Sequence, residues 1–387
     1  MNIIDLSSCV FSMRNGAYGG RAGDKEGIVY NGENWIVKYP KNTKSMKVDH
    51  TKLPYTTAPL SEYIGSHIYS LLGLPVHETI LGFRNGKVVV ACKDFTSDLG
   101  ELLEIRTVKN TDNDRLSELY DKDMSSTGDA HSVDFAELML HLKENTILSK
   151  VPGIKERFWD QVVVDGFIGN NDRNNGNWGI VCNGPGLYEM APIFDNGDAF
   201  YSKLDEDQIL DRLNNKDKLD GIVKGVQTIY SLNGHQLTFK KMLEMSDPNL
   251  INAIRKLTPV ISSRLPDIAR FIDSIPECYN DILVCSAIRK EYYKTILRLR
   301  VEYLLSPVYA KLQVVSKDRI KFDLLNHAQS QGKPIRDVVT ELSQLIPSTY
   351  NSEKYSYAVR AWITLQIQEG HALSEWDLIK LKELSNE

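Results

Sequence analysis

The sequence contains no paired cysteines. Its five, Cys9, Cys92, Cys182, Cys278 and Cys285, lie scattered along the chain and are odd in number. This excludes a disulfide framework and fits free thiols in a reducing compartment. No stretch of ~18 consecutive apolar residues occurs, so no membrane span is expected. The segment from Met1 to Asn15 lacks a basic start, a long apolar centre and a small-residue cleavage site, so it does not read as a secretory signal. A cytoplasmic location is expected, although non-classical export would leave no such mark. An excess of positive charge is also missing. The net charge is −5 at pH 7, which gives no support for direct nucleic-acid binding. The histidines, His67, His131, His141 and His235 among them, show no ligand spacing, and a zinc site is not expected. The pattern G-x-x-x-x-G-K-[ST] is absent, which disfavours a P-loop nucleotide enzyme. No G-x-S-x-G and no Cys/His arrangement supports nucleophilic hydrolysis. Internal repeats and low-complexity tracts are absent too.

What remains is an ordinary soluble composition, 42% hydrophobic and 25% charged over 387 residues. That length can supply two or three domains with a real core. Residues 9–40 read as strands, with Ile28, Tyr30, Trp35, Ile36 and Val37 flanking the hairpin signal Asn31-Gly32. Lys38 ends the second strand and Pro40 terminates it. A polar loop over 42–59 leads to a helix over 60–72, whose apolar residues recur at three- and four-residue steps until Gly73 stops it. Two further strands surround Asn85-Gly86, and the second, Val88 to Cys92, is apolar throughout and so buried on both faces. Residues 106–132 are charge-rich and read as a loop or mobile insert. From about 134 the chain is mostly helical. A helix marked by Phe158, Trp159, Val162, Val163 and Phe167 leads into a polar loop, and 178–194 alternates as a hairpin. The stretch 198–235 is polar, helices return over 237–313, and Ser374-Glu375-Trp376-Asp377 is a capping signature for a last helix. The fold class expected is α+β with two lobes. Residues 1–95 make a small β-rich lobe, 96–313 a larger helical lobe, and 314–387 a helical extension. The cleft between the lobes suits a nucleotide.

Five groups of residues could carry chemistry. Glycines 16, 19, 20 and 23 make a loop whose backbone N–H groups can approach phosphate oxygens. The plainer reading is a flexible turn. Lys38 could neutralise phosphates as a point charge, although most strand-end lysines sit in water. Glu62, early in the 60–72 helix, could pair with Lys38. It lies nearly opposite the apolar stripe, which suits a cleft-facing carboxylate and a solvated one equally. The loop Gly169-Asn170-Asn171-Asp172-Arg173-Asn174 could be no more than Asx-turn geometry. Against that stands its partner downstream, Asp195, at the end of the apolar run Pro192-Ile193-Phe194. A carboxylate there is costly unless its charge is used. Asp195 and Asn177 offer the oxygens that a hard cation prefers, and Asp172 is left to orient a hydroxyl proton. That is the layout of a phosphotransfer loop followed by a metal-binding aspartate.

Taken with Trp35 to Pro40, Ser61 to Ile64, Val89 to Phe95 and Ile193 to Gly197, these segments resemble the HipA-like serine/threonine kinase family over roughly residues 5–310. The resemblance implies a two-lobed kinase fold, ATP with magnesium, phosphorylation of protein Ser or Thr, and autophosphorylation. By position it implies Lys38 on phosphate with Glu62 as its helix partner, Asp172 as catalytic aspartate, and Asn177 and Asp195 on magnesium. Lys93 to Phe95 would join the lobes and meet adenine through the backbone, and Gly16, Gly19 and Gly20 would belong to the phosphate loop. An antitoxin-like partner follows by analogy alone. The family often has His two residues after the catalytic Asp, where this chain has Asn174. Alternatives of the same fold are a small-molecule or lipid kinase and a nucleotide-sensing module without turnover. Ser125, Ser126, Thr127, Ser202, Thr228 and Ser231 are candidate self-modification sites.

Overall fold

Two Asn-Gly turns and runs of alternating apolar residues build the first lobe. Its strands are β1 (Ile4–Asp5), β2 (Lys25–Tyr30), β3 (Glu33–Lys38), β4 (Thr79–Arg84) and β5 (Lys87–Lys93). They form one sheet in the order β1-β4-β5-β3-β2. Only the β1–β4 pair is parallel. Asn31 and Asn85 both adopt φ 52°, and Gly32 and Gly86 follow at φ 80° and 72°, as a tight hairpin turn requires. One face of the sheet encloses Leu6, Ile28, Trp35, Val37, Val89 and Ala91. Helix α1 (Ala58–Leu71) packs on β4 and β5 and ends at Gly73, whose φ is +75°. Upstream of β2 the strand reading is too generous. Between residues 9 and 18 there is one bridge, Phe11 to Ile28, and a single 3-10 turn at Asn15–Ala17.

The computed structural model describes residues 3–18, 24–46, 51–125, 132–313, 332–334 and 337. Gly19 and Gly20 of the glycine loop, Ser126, Thr127, His131 and almost all of 314–387 lie outside the described residues. Met1–Tyr309 form one compact unit, and Ala310–Glu387 a second. Among the described residues no helix is long and apolar enough to cross a membrane.

The chain leaves β5 through Asp94 and Phe95 into the larger lobe. There α2 (Thr96–Leu99), β6 (Glu101–Glu104), α3 (Ile105–Asn110), α4 (Asn113–Tyr120), β7 (Val133–Asp134), α5 (Phe135–Glu144) and α6 (Ile154–Ile168) follow in order. Helices α3 and α4 replace the loop expected over 106–132. Ile105, Val108 and Leu116 face inward, and two of the charges that suggested solvent, Lys109 and Asp112, are buried and paired. Lys109, for example, meets Glu137 at 2.5 Å. Charge density misleads where each charge has a partner.

Helix α6 is the axis of this lobe, with twelve of its residues buried, from Ile154 to Ile168. It ends at Gly169, where φ is +72° and any Cβ would lie 2.5–2.7 Å from the Arg300 guanidinium. Only glycine fits this start to the polar loop. The expected hairpin follows as β8 (Gly179–Gly184) and β9 (Leu187–Met190), with β6 paired to β8. The polar stretch 198–235 is also structured. It holds α7 (Glu206–Asn214), α8 (Lys216–Lys224) and the strand β10 (Gln227–Leu232), which pairs with β11 (His235–Thr238). Asp205 and Gln208 form a capping box at the start of α7, a legible signal that the polarity of the stretch hides. Helices α9 (Phe239–Leu243), α10 (Pro248–Ser274) and α11 (Ala287–Arg300) complete the packing around α6.

Candidate active site

The strand β3 ends with Lys38 pointing toward α1 and toward the loop after β9. Its ammonium lies 3.0 Å from Glu62 Oε2 and 2.8 Å from Asp195 Oδ1. Of the two readings left open for Glu62, the structure selects the paired one, since its side chain is 1% exposed. Burial alone would discharge Lys38, but the Asp195 and Glu62 carboxylates outweigh it and hold its pKa well above the usual lysine value. Burial opposes the charge on Glu62 as well, and Lys38 and His77 more than offset it, so its pKa falls. Asp195 is likewise lowered, with burial overcome by Lys38. It sits at φ 61°. The residues before it are not a strand. Ile193 makes one parallel bridge to Val76, and that bridge fixes the chain just ahead of Asp195.

The loop after α6 brings Asp172 and Asn177 to the same place. Asn177 donates from Nδ2 to the Asp172 carbonyl at 2.5 Å and to its Oδ2 at 3.4 Å. Its Oδ1 thereby faces away from those contacts. Asn174 donates to Asp172 Oδ1 at 3.0 Å and accepts from the Gly176 N–H at 2.8 Å. So the position where a histidine is common holds an amide that braces the loop. Burial pushes the Asp172 carboxyl up to about 6; the Asn174 bond pulls against it, and the Asp198 and Asp195 carboxylates add to the rise. Asp198 was not singled out from sequence. Its only signal is the run Asp195-Asn196-Gly197-Asp198.

Two cavities meet at this cluster. One, of about 1100 Å³, is lined by Tyr18, Lys93, Asp94, Phe95 and Phe194, so the expected joining segment faces it. The Lys93 side chain itself is engaged with Glu33 at 2.6 Å, and its backbone N–H donates to the Glu78 carbonyl at 2.9 Å. The other, of about 960 Å³, is lined by Asp172, Asp198 and Ser202. Lys38, Asn177 and Asp195 line both. The oxygen donors at this shared wall, the Asp195 carboxylate and the Asn177 amide oxygen, suit magnesium better than a soft metal. Gly16 is described but lines neither cavity.

Behind the wall runs a buried polar chain that sequence reasoning missed. Glu62 Oε1 meets His77 Nε2 at 2.9 Å, and the same nitrogen lies 3.1 Å from Ser66 Oγ. Ser66 accepts from Asn196 Nδ2 at 3.0 Å, and Asn196 Oδ1 accepts from Arg173 at 2.6 Å. Arg173 also binds Asp165 at 2.8 Å and donates to the carbonyls of Asn177 and Phe194. The chain therefore ties α1 to the Asp172 loop and to the residue after Asp195. Periodicity could not disclose it, because its members come from five separate stretches. Glu62, His77 and Cys92 also place ligand atoms within 4.8 Å of one another, a cluster that histidine spacing did not anticipate. The Glu62 carboxylate is already engaged by Lys38 and His77, and burial drives the Cys92 thiol pKa far up.

No protein-family model matches the chain. The serine/threonine-protein kinase CtkA of Helicobacter pylori strain J99 is 31% identical over 340 residues, which is 86% of this chain and 94% of that protein. The crystal structure of a Helicobacter pylori proinflammatory kinase CtkA matches with a TM-score of 0.69 at 28% identity, over 81% of this chain and all of that one. A Shewanella oneidensis HipA, solved with HipB and operator DNA, matches at a TM-score of 0.46 and 16% identity, over 76% of this chain and 68% of that one.

Proposed function

The chain belongs to the CtkA-type serine/threonine protein kinases of the HipA-like family, and from that premise we propose that it moves the γ-phosphoryl group of ATP, with magnesium, to a Ser or Thr hydroxyl of a protein, itself included. The observation that carries this reading is the Lys38 ion pair with both Glu62 and Asp195 at the wall shared by the two cavities. Phe95 and Phe194 would hold adenine in the larger cavity, and the shared wall would receive the phosphates. There Lys38, held by Glu62, meets them as a fixed positive charge. Asp195 and the Asn177 amide oxygen are the residues to hold magnesium. When bound, magnesium neutralises charge developing on the transferred group. Asp172 orients the incoming hydroxyl and accepts its proton. Asn174 holds one Asp172 oxygen at 3.0 Å, and the other, which meets only the long 3.4 Å contact from Asn177, is the one to face the substrate.

Among the candidate self-modification sites, Ser202 lies on the wall of the cavity that holds Asp172. Thr228 is buried and donates to the Leu237 carbonyl at 2.9 Å, which takes its hydroxyl out of reach. Ser125 and Ser231 lie on neither cavity wall.

Purified protein incubated with labelled Mg-ATP should transfer label to protein, with sites read by mass spectrometry. Asp172→Asn and Asp195→Ala should each lower transfer by at least about 100-fold with unchanged far-UV circular dichroism. Full activity in Asp195→Ala would sink the assignment.

A further inference from the structure

We propose that the cavity holding Asp172 is an acceptor chamber selective for a Ser or Thr set in an acidic protein segment. This rests on the kinase reading above and adds the class of substrate to it.

The geometry divides the cleft by role. Phe95 and Phe194 line only the larger cavity, and Asp172 lines only the smaller one. A phosphoryl group at the shared Lys38–Asp195 wall therefore has its nucleotide on one side. The hydroxyl-orienting carboxylate stands on the other, so the acceptor must enter through the smaller cavity.

The charges of that cavity are of both signs. Asp172, Asp195 and Asp198, all half-buried, form the floor around the phosphate position, where Lys38 offsets them. Lys41 and Lys203 are exposed on the lining, Lys87 is half-buried, and Lys25 lines both cavities. Among the described residues none of these four ammonium groups forms an ion pair. Lys87 instead lies 4.6 Å from the Tyr55 ring centre and 6.0 Å from that of Tyr39. Asp24 is the one carboxylate among the described lining residues that lies away from the floor and is not paired with Lys38. A peptide threading its hydroxyl toward Asp172 passes this lysine-rich lining with its flanking residues. Acidic flanks find unpaired cations there, and basic flanks meet like charge. Each exposed pair contributes little, so two or three together should discriminate by about tenfold, and added salt should erode the effect.

The test uses the full chain with Mg-ATP and three Ser/Thr peptide pools. Their flanking positions are Asp/Glu, Ala/Gln or Lys/Arg. The expected kcat/KM order is acidic, neutral, basic, with about tenfold between the first and the last. The double substitution Lys41→Glu/Lys203→Glu should reverse that order through peptide KM and leave the KM for ATP unmoved. Both side chains are exposed, so a thermal melt should match the parent. Equal use of the pools, a basic preference, or an order the double substitution leaves intact would overturn the proposal. If ATP is consumed and no pool is labelled, the acceptor chamber is wrong and the kinase reading stands. If no ATP is used at all, the kinase reading falls and the proposal with it.

Discussion

Asp172 is held in a state that a free aspartate would not show. Burial pushes its pKa up from 3.8 to about 6, against the Asn174 hydrogen bond, and Asp198 and Asp195 add their repulsion. A general base acts only when deprotonated. Below about pH 6 the carboxyl carries its proton and cannot accept another, so phosphoryl transfer should rise with pH through about 6 and level off above it. Asp198→Asn removes one like charge, which should move that midpoint to lower pH. The kcat/KM profile of parent and substituted protein from pH 5 to 8 checks both points; a flat profile, or a midpoint that moves up, contradicts them. The same residue marks how far single positions could be read. That Asp172, Asn177 and Asp195 would come together was legible, because loop chemistry and spacing coincide there. Asp198 and the bracing by Asn174 were not, because a field and a brace leave no pattern in the sequence.

Elements meet in this protein through small residues and buried polar atoms, and those contacts are where sequence reading stops. Helix α1 was predictable from its apolar stripe, yet its working face is the other one. Glu62 and Ser66 there reach His77 and Asn196 across 2.9–3.1 Å. Gly65 makes that approach possible. An added Cβ would lie 2.8 Å from the Cβ of Asn196. Gly65→Ala should gain about 1 kcal/mol of helix propensity and lose about as much or more to the clash. The melting temperature should then shift by only a few degrees while transfer falls at least about tenfold, because the displaced Asn196 carries Asp195 with it. Normal activity in this variant would mean that the α1 contact does not position Asp195. Arg173→Met addresses the other end of the chain. It strands the Asp165 carboxylate, whose side chain is 2% exposed. Breaking a buried pair on one side costs about 3–5 kcal/mol. Urea unfolding should show a loss of that order, and a loss under about 1 kcal/mol would mean that Asp165 finds another partner. Helices α3 and α4 went unread for the same reason. Lys109 and Glu137 look like solvent residues until they are seen to face one another.

At the scale of the whole molecule, the order of strands, helix, polar loop and hairpin was visible in the sequence, since it rests on periodicity and turn chemistry. The ion pair across the two lobes was not, because it joins Lys38 to Asp195, which are 157 residues apart. That contact makes ligand binding a property of both lobes together. Asp195 comes from the larger lobe and Lys38 from the smaller, and both line the cavities on either side. A nucleotide bound there stabilises the folded state by mass action, about 2.7 kcal/mol at a hundred times its dissociation constant. For a chain of this size, that converts to a rise in melting temperature of about 3 °C. Part of the rise should require magnesium. ATP with magnesium should therefore raise the transition more than ATP with EDTA, and differential scanning fluorimetry reads the two increments side by side. In Asp195→Ala the magnesium-dependent increment should vanish, while an increment from the base and from Lys38 survives. A magnesium increment that persists in Asp195→Ala would place the ion on other oxygens. Loss of both increments would mean that the substitution breaks the lobe contact itself, since nucleotide binding would then fail without regard to the metal.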